Sequence, residues 1–111
     1  MPHLRFRGIE ADTLQTISTD LVDALVPLMN SPRLDFTLEQ VHSTFVFDGE
    51  VHGNRYPFVE LFWFDRGQDV QDKVAQLITE HLRAALPAVD NIAVIFYPLT
   101  PAGYYDNGQH Y

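Results

Sequence analysis

The residues best placed to do chemistry open the chain. In Pro2-His3-Leu4-Arg5-Phe6-Arg7-Gly8-Ile9, Leu4 and Phe6 alternate with His3, Arg5 and Arg7. This alternation predicts a strand with one apolar and one basic face, begun one residue after the initiator methionine. Removal of Met1, usual before a residue as small as proline, would leave a secondary amine pinned to the edge of a folded strand. Among arginines and partly out of water, its ammonium form is disfavoured on two counts, so its pKa falls toward neutrality and a free-base fraction appears. A general base needs that fraction. The plainer alternative is that Pro2 only opens an edge strand, where a missing N–H costs little. Glu60 interrupts the most apolar run of the chain, where an unpaired carboxylate is expensive. It should therefore meet an arginine, a hydrogen-bond donor or an open cleft.

Other chemistries lack their parts. Five histidines, His3, His42, His52, His81 and His110, include no pair at helical i, i+3 or i, i+4 spacing, and there is no cysteine, so no metal site is expected. Ser18, Ser31 and Ser43 have no G-x-S-x-G setting and no glycine-rich phosphate loop is present, which removes nucleophilic hydrolysis and nucleotide chemistry, and no cofactor is implied. The single lysine, Lys73, has polar helix neighbours, so any anion clamp must be built from arginine. A net charge of −8 repels a phosphate backbone, so nucleic acid is not an expected partner. No apolar run is long enough for a membrane span or a signal peptide, and the cytoplasm is the expected compartment.

The elements that must position these residues follow from periodicity. Leu14, Ile17, Leu21, Leu25 and Leu28 recur at helical steps, from a start near Glu10–Asp12 to Pro27, which should end or kink the helix. Residues 35–47 read as a second strand whose apolar parity switches near Glu39-Gln40, as a bulge would make it. Asp48-Gly49 and Gly53-Asn54 then suggest a short hairpin over Val46–His52. Phe58–Phe64 reads as a strand covered on both sides. Asp69 is the expected N-cap of a second helix that carries Val70, Val74, Leu77, Ile78, Leu82 and Ala85 and stops at Pro87. Ile92–Tyr97 reads as a last buried strand. The tail from Pro98 is broken by Pro and Gly, with Asp106-Asn107-Gly108 as a small hairpin.

With 111 residues and 46% apolar composition, one domain spanning 1–111 with one core is expected. A shift of about 60 residues lays one half on the other, Pro27 on Pro87 and Phe36 on Phe96, with Arg7-Gly8 one step from Arg66-Gly67. This predicts a duplication, about 1–47 and 57–111, of a β-α-β unit. The fold class is then α+β: a four-stranded mixed sheet with two helices on one face, plus short hairpins. The face without helices would need cover from other subunits.

These features, together with Tyr56-Pro57-Phe58-Val59-Glu60, Trp63-Phe64-Asp65-Arg66-Gly67-Gln68 and Tyr104-Tyr105-Asp106-Asn107-Gly108, resemble the tautomerase superfamily. That superfamily includes 4-oxalocrotonate tautomerase and macrophage migration inhibitory factor, and the chain is similar to a bacterial domain-of-unknown-function branch of it. The resemblance implies Pro2 as a general base in keto-enol tautomerisation of a small acidic keto substrate, within a homotrimer. It implies an arginine for the substrate carboxylate. Glu10-Ala11-Asp12 stands where short members have a Gly-Arg-Ser turn, so Arg66 or Arg33 is the candidate, with Glu60 nearby. It also implies a C-terminal aromatic at the site, Tyr104 or Tyr105, with Tyr105 taken to close the pocket. Separately, Tyr104, Tyr105 and Tyr111 around an Asn-Gly turn have little of their own domain to pack on, so the tail is expected to cross to a neighbouring subunit and extend its sheet. Two other readings stand beside this one: a trimer that binds a small ligand or a protein without turnover, and a dimeric ferredoxin-like domain in which the amine has no role.

Overall fold

In the computed structural model, which describes residues 1–53 and 56–111, segments of period 2 and period 3.6 separate along the chain as β1 (His3–Arg7), α1 (Ala11–Met29), β2 (Thr37–Val41), β3 (Phe45–Phe47), β4 (Glu50–His52), β5 (Phe58–Trp63), α2 (Gln68–Ala85), β6 (Ala93–Pro98), β7 (Tyr105–Asp106) and β8 (Gln109–His110). Short 3₁₀ turns at Arg33–Asp35 and Pro101–Gly103 link them. The main sheet has the order β2-β1-β5-β6. Each of the β1-α1-β2 and β5-α2-β6 units is parallel, and β1 and β5 meet antiparallel, which makes the sheet mixed.

Alternation sorts β1 and β5 into two faces. Leu4, Phe6, Val59, Leu61 and Trp63 are fully buried and join Leu14, Leu21, Leu25 and Met29 of α1 and Val74, Ile78 and Leu82 of α2 in one core. Both helices therefore lie on one face of the sheet, in the α+β arrangement expected. No helix is long and apolar enough to cross a membrane.

The opposite face is mixed in character. Arg5 stands in register with Glu39 and Glu60, and its Nε lies 3.0 Å from a Glu39 oxygen, an ion pair without hydrogen-bond alignment. Arg7 Nε lies 3.7 Å from Glu60, and its guanidinium sits over the Phe58 ring at 4.6 Å. Phe62 stacks on Tyr97 at 4.8 Å, and Ile95 is exposed. Phe58–Trp63 is thus covered by its own chain on one side only, a correction to the expected two-sided burial. Pairs this accessible contribute at most about 1 kcal/mol each.

Other expectations change in detail. Pro27 does not stop α1. It sits in the last turns, giving up one backbone bond, and the helix runs to Met29, where Asn30 closes it in the left-handed region at φ 49°. The parity switch after Glu39 is not a bulge. The strand ends at Val41, and Phe45 and Phe47 belong to a separate hairpin in which β3 pairs antiparallel with β4. Of the turn expected there, Asn54 lies outside the described residues. Gly67, not Asp69, precedes α2, and Asp65 accepts its N–H at 2.8 Å. The tail folds back on its own chain: Tyr104 and Tyr111 pack on Phe64 with ring centroids 5.6 Å away in both cases.

Gly8 shows how tightly the two units are joined. Its φ is +79°, and a Cβ there would lie 2.2 Å from the Tyr56 carbonyl oxygen, backbone that leads into β5. Gly8→Ala should therefore cost at least about 2 kcal/mol through left-handed strain and collision together. Urea unfolding of the two proteins measures this, and an unchanged midpoint would show that the joint gives way freely.

Candidate functional site

The end of α1 lacks a basic residue in its last turn, and the cation that serves it comes from the other half of the chain. Beyond the left-handed Asn30, Ser31 turns inward and is 5% exposed, the one buried polar side chain among the described residues. Its hydroxyl donates to Met29 O at 3.3 Å. Arg66, in the loop between β5 and α2, completes this turn: Nε donates to Met29 O at 2.9 Å, Nη2 to Ser31 Oγ at 3.0 Å and Nη1 to Phe64 O at 2.6 Å. Its guanidinium also lies 5.3 Å from the Trp63 ring. Burial lowers the Arg66 pKa, yet a guanidinium stays charged at neutral pH.

That charge is felt at the amino terminus. Pro2 is buried, and its carbonyl accepts the Thr37 N–H at 3.1 Å, so the start of β1 is tied to the start of β2. The terminal amine has a pKa lowered from 8.0, by burial first and by the Arg66 charge second, with Asp35 opposing. While Met1 is attached the Pro2 nitrogen is an amide. Removal of Met1 would place the terminal amine on Pro2, which is buried.

His3 joins the second wall. Its Nδ1 is 2.5 Å from Thr37 Oγ1 and its Nε2 2.5 Å from the Tyr104 hydroxyl, with the two rings stacked at 5.7 Å. Burial and then the nearby amine lower the His3 pKa, while Glu39 raises it, so His3 is neutral at pH 7. The Tyr104 ring is held by Phe64 at 5.6 Å and Tyr111 at 4.9 Å. Burial, then Asp106 and Asp35, raise its pKa and keep the hydroxyl protonated. The amino end thus gathers a depressed amine, a fixed cation and a neutral hydroxyl, the parts of a proton-transfer site that accepts an anion.

Of the residues singled out in the sequence, Pro2 and Arg66 are brought together. Arg33 is not with them. It is exposed and pairs with Asp23 on α1, lining a groove of about 270 Å³ with Ser18, Val22, Phe36 and Leu38. Tyr105 is also apart, 63% exposed and edge-on to His110, so within one chain Tyr104 takes the place given to it. Glu60 lies half-buried on the helix-free face beside Arg7, 3.7 Å from its Nε. A second groove, of about 280 Å³, lies under the β3–β4 hairpin between Phe45, Val46, Phe47, His52 and Tyr56. Neither groove holds titratable groups comparable with those at the amino end. His3, Thr37, Asp35 and Ser31 escaped the sequence reading as site members. The parallel register that sets His3 opposite Thr37 was the signal that could have found two of them. Among the described residues, no group of three or more His, Asp and Glu side chains could hold a metal ion.

Comparison with known proteins bears on the family and the fold. A family model described as "Domain of unknown function (DUF1904)" matches residues 1–110. A DUF1904 crystal structure from Sebaldella termitidis is 35% identical, with a TM-score of 0.92 over 100% of both chains. The macrophage migration inhibitory factor-like protein of Entamoeba histolytica is similar in fold at 15% identity and a TM-score of 0.76, over 99% of this chain and 98% of that one. A fused 4-OT, described as a wild-type asymmetric trimer, has 14% identity and a TM-score of 0.78, over 97% of this chain and 94% of the other. The scaffold is tautomerase-like. No curated protein matches the sequence.

The electrostatic link between Arg66 and the amine is measurable. Arg66→Gln removes a positive charge that lowers the amine pKa, so that pKa should rise toward 8.0. The pH dependence of amine acylation reads it directly. The same variant should lose about 1–3 kcal/mol of stability as Met29 O and Ser31 lose their charged partner. An unmoved amine pKa would show that burial alone depresses it.

Proposed function

The chain belongs to the DUF1904 family, and on that premise we propose that it is a keto-enol tautomerase that uses Pro2, freed of Met1, as general base on a small 2-oxo acid. One observation carries this reading: Pro2 is buried at the start of β1, beside a terminus whose Met1 amine has its pKa lowered by burial first and by the fixed Arg66 guanidinium second. In the reaction the proline nitrogen takes the proton next to the ketone, the electron pair moves onto the carbonyl oxygen, and the proton returns to oxygen or carbon. Arg66 serves first as the fixed charge that keeps the amine basic yet unprotonated. Three of its five donors are spent on its own chain, and the remaining two are available for a carboxylate. No nucleic acid or membrane has a part in this reading, and its setting is the cytoplasm.

A non-catalytic trimer that binds a ligand in the same place is the second reading. It is favoured by that same commitment of Arg66 to backbone and Ser31, which makes it a weaker clamp than a free arginine.

The reading includes self-association as a homotrimer, supported by the trimeric fused 4-OT of like fold and by the half-apolar face without helices. Light scattering at micromolar concentration should give three times the chain mass, and a monodisperse monomer would remove this part of the reading.

Catalysis is tested by comparing processed protein with Met1-bearing protein and with Pro2→Ala, using an enol of an aryl-substituted pyruvate as reporter. Both altered proteins should be slower by about 10²-fold or more, the usual worth of a positioned general base. The processed protein should gain rate as pH rises through the depressed amine pKa, because only the free base acts. Equal rates in all three, or none across several keto acids, would leave the binding reading.

A further inference from the structure

Tyr104 does not meet the amino end by ring packing alone. Its hydroxyl is hydrogen-bonded to His3 Nε2 at 2.5 Å, and His3 Nδ1 is 2.5 Å from Thr37 Oγ1. The far end of this chain of three side chains is secured to the site itself, since the Thr37 N–H donates to the carbonyl of Pro2. The near end is secured by Phe64 and Tyr111, which fix the Tyr104 ring. A hydroxyl held from both directions, and bonded to the residue that follows Pro2, is more than a filler of space.

Direction along the chain matters. With the His3 proton on Nε2, Thr37 donates its O–H to Nδ1, Nε2–H donates to the Tyr104 oxygen, and the Tyr104 O–H is free to donate outward. With the proton on Nδ1 the sense reverses and the Tyr104 O–H is consumed by His3. We propose that His3 is a positioning residue of the first kind, which holds the Tyr104 O–H as the donor to the ketone oxygen of a bound 2-oxo acid. This rests on the reading of the site given above and names the group that recognises the oxo function. Bonds aligned in one sense polarise one another, and a donor fixed in advance at the oxygen where charge develops acts more strongly in the transition state than in the ground state. The raised Tyr104 pKa is in keeping with this, since the group must stay a donor rather than become a phenolate.

The test separates binding from turnover. Pyruvate and propionate differ at the ketone oxygen, and their affinities for the processed protein are compared by calorimetry in wild type, Tyr104→Phe and His3→Phe. Each variant should lose about tenfold in pyruvate affinity, the value of one neutral hydrogen bond, and leave propionate unchanged. His3→Gln, whose amide N–H can reach the place of Nε2, should recover part of the loss. The double variant should lose no more than Tyr104→Phe alone, because His3 acts through the hydroxyl. In turnover of the same proteins, kcat/KM should fall further, by about 10²-fold. Full pyruvate affinity in Tyr104→Phe, an equal loss for both ligands, additive losses in the double variant, or no preference for pyruvate in wild type would each overturn the assignment. A protein with a Tyr104-dependent preference for pyruvate but no turnover would instead overturn the tautomerase reading and leave this assignment standing.

Discussion

The arrangement depends on one guanidinium. Arg66 leaves the loop after β5, crosses to the other β-α-β unit and binds the carbonyl that ends α1, the hydroxyl of the buried Ser31 and the carbonyl of Phe64. Without it, the last carbonyls of a 19-residue helix would face the interior with no cation, and Ser31 would be buried with only a long bond to Met29 O. The same group, after burial, helps to lower the pKa of the terminal amine. Structural and chemical demands thus fall on one side chain, which limits what could replace it. Lysine would keep the charge but offers no planar fork to span three acceptors that lie on different elements.

Around this pin the sheet separates its two duties. The face toward the helices is apolar and closed, with Trp63, Phe6 and Leu4 fully buried. The other face carries ion pairs interleaved with aromatic rings, through Arg5, Arg7, Glu39, Glu60, Phe62 and Tyr97. β1 contributes to both duties at once, because it is central in the sheet and its first residues hold the amine. Pro2 lies inward and His3 outward, so consecutive residues of one strand belong to the packed interior and to the hydrogen-bonded wall.

Most of the fold was legible in the sequence because its signals are local and repeated. Alternation in Leu4 to Arg7 and in Phe58 to Trp63, and helical spacing from Leu14 to Leu28 and from Val70 to Ala85, require no knowledge of tertiary structure. The site was legible only where a residue's place follows from such an element. Pro2 opens β1 and Arg66 follows β5, and both come to lie at the amino end. Arg33 did not, because the left-handed Asn30 sends the following turn back over α1, toward Asp23, and sequence proximity to the helix end carries no direction. The choice between Tyr104 and Tyr105 turned on the 3₁₀ turn at Pro101–Gly103. That turn aims Tyr104 at His3 and Tyr105 at solvent, and no periodicity in a tail of Pro, Gly and Tyr reveals it. The break at Val41 was hidden for a similar reason, since the apolar residues beyond it continue a strand pattern in a different sheet.

The burial of Pro2 bears on how the protein comes to maturity. A peptidase must draw the Met1–Pro2 bond into its cleft in extended form, but in the folded chain Pro2 is buried and its carbonyl is tied to Thr37. Thr37 is made some thirty residues later, so while the nascent chain is still shorter than β2 the bond is free, and afterwards it is sequestered. Cleavage and strand closure therefore compete in time. Once the sheet has closed, access to that bond requires the amino end of β1 to part from β2.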